Sequence, residues 1–197
     1  MMIFPKGDKL KGLLQIKETA ENSKIAKTEA KYILAYLYVN YEKNYLESEK
    51  YAKALTDEFP ENPILQKYLY LSYVGIGKLN EAVEGWKSVL VRADNKEPGF
   101  DNKLLRRDAN YYVSICNLRL GRLLETEKNL LDCEELNKQV ENEETSFGVF
   151  TYLMLGMLFD KKNDHSRAIN FYDKVLSLKN FENSHQEAEK YKKNGYK

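Results

Sequence analysis

The side chains able to take or give a proton, attack a carbonyl or hold a metal are few in this sequence. The two histidines, His165 and His185, have no carboxylate or thiol at metal-ligand spacing, so neither a metal site nor histidine-based catalysis is expected. Cys116 and Cys133 both fall within apolar helical patterns and read as reduced core thiols. On antiparallel helices of one hairpin they would stand about nine residues out of level, roughly 13 Å, too far for a disulfide. The chain carries no G-x-x-x-x-G-K-[ST], no G-x-G-x-x-G after a strand and no G-x-S-x-G, and Gly75-Ile76-Gly77 reads as a turn. Glu134/Glu135 and Glu143/Glu144 read as solvated helix faces. One polar grouping is a candidate: Arg106, Arg107, Arg119 and Arg122 are four of six arginines, with Lys103 beside them. The planar guanidinium suits carboxylate or phosphate, so these residues could dock an acidic motif, or simply pair with Asp101, Asp108 and Glu125. The expectation is a protein that is not an enzyme and holds no cofactor and no metal.

The elements that must position these residues are helices. The chain has 197 residues, 43% apolar and 31% charged, with 10 glycines and 4 prolines, a composition that favours helix and excludes collagen, disorder and disulfide scaffolds. Its 31 basic and 30 acidic side chains leave a net charge of +1, which supplies no field for nucleic acid or an anionic membrane. No apolar run approaches the roughly 20 residues needed to span a bilayer. The opening Met1-Met2-Ile3-Phe4-Pro5-Lys6-Gly7-Asp8 lacks the apolar stretch of a signal peptide. As given, the chain reads as cytoplasmic, with the periplasm open if an upstream signal has been removed. Between Pro60, Pro63, Gly75, Gly77, Pro98, Gly99 and Gly121, apolar residues recur at three- and four-residue spacing. That spacing predicts helices at 8–22, 27–41, 45–59, 62–76, 79–92, 102–120, 123–139, 145–161, 165–179 and 182–194.

The helices come in pairs. A tight turn leading into a second helix occurs at Tyr41–Ser48, Gly75–Ala82, Leu120–Thr126 and Lys162–Ala168, and the equivalent residues Ser48, Ala82, Thr126 and Ala168 are 34, 44 and 42 apart. The second unit carries Leu69, Tyr70, Tyr73, Gly77, Ala82, Trp86 and Val89. The first carries Tyr32, Ala35, Val39, Ser48, Ala52, Leu55 and Pro60, with Tyr36 where a small residue is usual. The fourth has Tyr152, Leu155, Gly156, Phe159, Ala168, Tyr172 and Val175. The third departs most, with Asn110, Ser114 and Asn117 at aromatic or small positions, while Val113, Gly121, Thr126, Leu130 and Cys133 fit. Over residues 29–182 these positions resemble the tetratricopeptide repeat (TPR), and the start resembles the later part of larger bacterial TPR proteins.

The resemblance implies an all-α, right-handed α-solenoid of antiparallel helix pairs. Its divisions would be an N-terminal half repeat (1–25), repeats at 29–62, 63–96, 107–140 and 149–182, insertions at 97–106 and 141–148, and a capping helix at 183–197. Ala82 and Ala168 would seat against the first helix of their own repeats, and Trp86 and Tyr172 would fill the gap to the next. By the same resemblance, the first helices line a groove that binds a partner peptide or helix. The groove residues would be Ile33, Leu37 and Asn40, then Lys67, Leu71 and Val74, then Tyr111, Ile115 and Leu118, then Leu153, Met157 and Asp160, with Tyr41, Tyr68 and Tyr112 adding aromatic surface. Ile33 and Leu37 stand where the chaperone-tail-binding branch keeps its carboxylate clamp, which argues against that ligand. Two other readings stay open. The chain could be a structural or self-assembling segment of a longer array, or an RNA-binding helical repeat using the arginines with Tyr111 and Tyr112, which the charge of +1 disfavours.

Overall fold

The structure, a computed structural model, describes residues 8–140 and 145–197; the opening seven residues, part of the expected insertion at 141–148, and Glu143 and Glu144 lie outside it. All regular structure among the described residues is helical: α1 (Lys9–Asn22), α2 (Lys27–Leu37), α3 (Tyr45–Glu58), α4 (Pro63–Ile76), α5 (Leu79–Asp94), α6 (Lys103–Arg119), α7 (Leu123–Val140), α8 (Ser146–Lys161), α9 (His165–Ser177) and α10 (Ser184–Asn194). One element differs from expectation. The predicted helix 27–41 stays α-helical only to Leu37, and Tyr38–Glu42 widens into a π-helical turn. It closes where the Asn44 amide reaches back to the Tyr38 carbonyl at 3.0 Å, with Lys43 in the left-handed region at φ 52°.

Short polar side chains start the helices by accepting from amides that the first turn leaves unpaired. Asp8, Asn44, Asn62, Asn102, Thr145 and Asp164 each cap in this way, and Pro63 follows Asn62 at a position where its missing amide costs nothing. The turns repeat as faithfully. Lys43 (φ 52°), Gly77 (φ 83°), Gly121 (φ 74°) and Asn163 (φ 60°) are all left-handed, and their spacings of 34, 44 and 42 are those of the sequence repeats.

The chain packs as two compact units, Met1–Lys78 and Leu79–Lys197, and the boundary falls inside the second sequence repeat. In the first unit α1 packs on α2, α2 on α3, α3 on α4, and α2 also touches α4. Leu34, Ala35, Tyr38, Ala52 and Leu69 form its centre. The wholly buried Ala35 and Ala52 let backbones approach, and Ser48 donates to the Ala35 carbonyl at 3.0 Å while its oxygen lies 2.8 Å from the Ser72 hydroxyl. Gly75 is required because a Cβ there would sit 2.1 Å from the Tyr45 ring.

In the second unit each of α5 to α9 packs on the next, and α8 also touches α6 and α10. Leu130, Val149, Leu155, Leu158, Tyr172 and Val175 are wholly buried there. Trp86 on α5 stacks on Tyr112 of α6 with centroids 5.3 Å apart, and Tyr172 on α9 meets Tyr191 of α10 at 6.0 Å. The departures in the third repeat form a polar seam. Asn129 donates to the Asn110 side chain at 2.8 Å and Ser114 to the Asn110 carbonyl at 2.7 Å, whereas the wholly buried Asn117 amide has no hydrogen-bond partner among the described residues. The segment between α5 and α6 is anchored by Phe100, wholly buried beneath the Arg92 guanidinium at 3.8 Å.

Candidate binding faces

In the first unit, helical periodicity sets Ile33, Leu37 and Asn40 in line on α2 and its π-helical extension, and Lys67, Leu71 and Val74 in line on α4. Ile33 and Asn40 are exposed, and Lys67, Leu71 and Val74 are half-buried. Leu37 opens elsewhere: with Gly12, Leu13, Ile16 and Tyr41 it lines a recess of about 470 Å³ between α1 and the end of α2. The aromatic content of this unit exceeds the sequence expectation. Tyr32, at a repeat-pattern position, and Tyr36, where the pattern usually has a small residue, remain 37% and 36% exposed, and both meet the Tyr68 ring edge-on, at 5.5 and 6.1 Å. Tyr36 also meets Tyr41 at 5.7 Å, with their hydroxyls 3.2 Å apart. Tyr68 is buried beneath this group, and burial pushes its phenol pKa well up, so it stays neutral. The Tyr32 ring also borders a recess of about 340 Å³ with Phe59 and Ile64.

In the second unit three of the six expected groove residues are spent on the interior. Leu118 on α6 is buried where α6 packs against α5, α7 and α8, and Leu153 on α8 is buried because α8 packs against four helices and shows almost no free face. The Asp160 side chain is only 3% exposed and accepts from the Tyr172 hydroxyl at 2.6 Å and the Tyr196 amide at 2.7 Å, with His165 Nδ1 at 2.6 Å. It ties the chain end to the unit, so it is not a residue a ligand could reach. It also gives His165 the carboxylate partner that sequence spacing did not show. Tyr111, Ile115 and Met157 are half-buried. Tyr111 borders a cleft of about 160 Å³ with Tyr112, Ser146, Phe147, Phe150 and Glu182. Its ring meets Tyr112 edge-on at 5.3 Å and Phe147 at 5.1 Å, and burial raises its phenol pKa far above the ordinary value. Phe147 and Phe150 lie one turn apart on α8, a spacing visible in the sequence, whereas no local signal brings Glu182 to the same place.

The arginines do not converge. Arg106 and Arg107 begin α6 while Arg119 ends it, roughly 18–20 Å away at 1.5 Å per residue. Arg106 pairs with Asp94 at 2.7 Å, Arg107 is buried against Asp108 at 2.9 Å, and Arg122 donates to Asn80 at 2.7 Å; Lys103 and Arg119 are exposed. Cys116 and Cys133 are both buried free thiols, pushed up to about 11 by burial.

Sequential helices packed in adjacent pairs, with repeated left-handed turns, define an all-α helical-repeat protein. No protein-family model matches the chain, and no curated protein shows significant sequence similarity to it. Among solved structures, the crystal structure of the apo form of RapI is similar, with a TM-score of 0.67 over 84% of this chain at 17% identity. The chain spans 60% of that protein's length. At this identity the likeness shows the fold, and it agrees with the all-α repeat architecture expected from the sequence.

Proposed function

We propose that this is a TPR-type protein-binding module that holds a partner peptide or helix against the faces of its first helices. The observation that carries this reading is the surface of the first unit, where Tyr32, Ile33, Tyr36 and Tyr41 are all at least about a third exposed. Large apolar groups exposed side by side mark interaction surfaces, and tyrosine adds contact area at low entropic cost. Leu71 and Val74 extend this surface, and Tyr111, Ile115 and Met157 are the corresponding groups of the second unit. Helix-in-groove and extended-peptide recognition both use such preformed apolar faces. The test is capture from lysate of the source cells by the wild-type chain, by Leu71→Glu and by Tyr111→Glu. A protein retained by the wild type and lost in either variant, with circular dichroism unchanged, supports the reading. Identical capture by all three overturns it.

A second reading is favoured by the edge of α1. Leu10 and Leu14 are 68% and 57% exposed beside the recess that Leu37 lines, so this edge could stack on another helix of a longer array or of a second copy. Light scattering of the wild type should then show a mass that rises with concentration, and Leu10→Lys with Leu14→Lys should remain monomeric. A monomer at every concentration removes self-association.

A further inference from the structure

The cleft of the second unit has a chemistry that the apolar groove reading leaves unused. Tyr111, Tyr112 and Phe147 stand nearly perpendicular to one another, with interplanar angles of 82°, 72° and 88° and centroids 5.1 to 6.4 Å apart. Aromatic faces carry negative potential and attract a desolvated cation within about 6 Å. Phe147 already accepts one, the Arg107 guanidinium at 4.0 Å, and Trp86 covers one side of Tyr112. The charges around the cleft favour a second cation. Arg107 is balanced by Asp108 at 2.9 Å, while Glu182 lines the cleft and Glu187 lies close enough to act on the Tyr111 phenol, and neither glutamate is ion-paired among the described residues. The first turn of α8 opposes this with about half a positive charge, less than the full carboxylate of Glu182 supplies. The cleft is about 160 Å³, against roughly 30 Å³ for a water molecule in the liquid, so it admits the end of a long side chain and little more.

We propose that this cleft seats the cationic end of a side chain, a lysine ammonium or an arginine guanidinium, presented by a bound polypeptide. The inference rests on the protein-binding reading for its source of ligand, and its chemistry is testable without a partner. The probe is n-butylammonium, with 1-butanol as the neutral molecule of the same size, titrated into the full chain while the Tyr and Phe ring resonances are followed by NMR. Saturable shifts of Tyr111 and Phe147 are expected with butylammonium, with 1-butanol at least about tenfold weaker, and Glu182→Gln, an exposed position, should weaken the cation by about threefold. No saturable shift, equal binding of 1-butanol, or an unchanged affinity in Glu182→Gln overturns the cation site. The two ideas fail separately. A partner lost in Tyr111→Glu alongside no butylammonium binding removes the cation site and keeps the module; butylammonium binding alongside capture that no variant changes does the reverse.

Discussion

At the scale of single residues, the glycines show where shape decides. A Cβ on Gly156 would lie 2.3 Å from the Tyr172 ring, and that ring cannot yield, because it is wholly buried and its hydroxyl is held by Asp160 at 2.6 Å. Gly156→Ala therefore overpacks the α8–α9 contact and should destabilise by about 1–3 kcal/mol. Gly12 offers the comparison: it sits within α1, and a Cβ there meets nothing within 4 Å. Gly12→Ala removes only the entropic cost of glycine in a helix and should stabilise by about 0.5–1 kcal/mol. Thermal unfolding followed by circular dichroism checks both, at about 2–4 °C per kcal/mol for a chain of this size. A midpoint that falls in both, or in neither, would mean that these contacts do not govern the two sites. Gly156 and Tyr172 each stand at repeat-pattern positions legible in the sequence, but the repeat resemblance placed Tyr172 toward the next repeat and did not show its contact with Gly156. The role of Asp160 was not legible, because nothing in its neighbourhood indicates that residue 196 returns to it.

At the scale of elements, that return builds the end of the second unit. His165 Nδ1 faces Asp160 at 2.6 Å and its Nε2 faces the Lys192 carbonyl at 3.2 Å, two acceptors that only the imidazolium, with both nitrogens protonated, can satisfy together. The hydrogen bond to Asp160 accordingly raises the His165 pKa above its usual 6.5. A raised folded-state pKa means that the tie contributes fully below about pH 6.5 and is lost as pH rises through the raised value. Because the His165 side chain is 44% exposed, solvent screens this contribution and its effect on global stability is small. NMR titration of the His165 ring should give a midpoint above 6.5 in the wild type and one returned toward 6.5 in Asp160→Asn, with α10 amides exchanging faster in the variant. An unshifted wild-type midpoint would dissolve the tie. Elements were otherwise well marked in the sequence. Asn62-Pro63 and the glycine turns fix helix ends by local chemistry, whereas the π-helical turn at Tyr38–Glu42, which also contacts α3 and α4, looks helical by periodicity alone.

At the scale of the whole molecule, repeat architecture makes stability local. Within each unit the helices pack chiefly on their neighbours in sequence, so the free energy of each is close to a sum of neighbour terms. The two units carry separate cores, one centred on Leu34, Ala35 and Ala52 and the other on Leu155, Leu158 and Tyr172. The small-residue and turn signals that reveal such a repeat are short-range, so they were readable. The partition into units was not, because it depends on which helices share contacts rather than on any residue pattern. The same held for the binding faces: the repeat resemblance placed Leu118 and Leu153 on the groove lines, but how deeply each line sinks depends on how many helices flank it. Local stability has a direct consequence for Gly156→Ala. Strain at the α8–α9 contact should release helices that touch it, so amides of residues 146–194 are expected to exchange faster, while those of residues 30–55 keep their protection. Hydrogen exchange read by mass spectrometry distinguishes the cases. Equal acceleration in both segments would mean that the chain opens as one cooperative block, and the additive picture of its repeats would then fail.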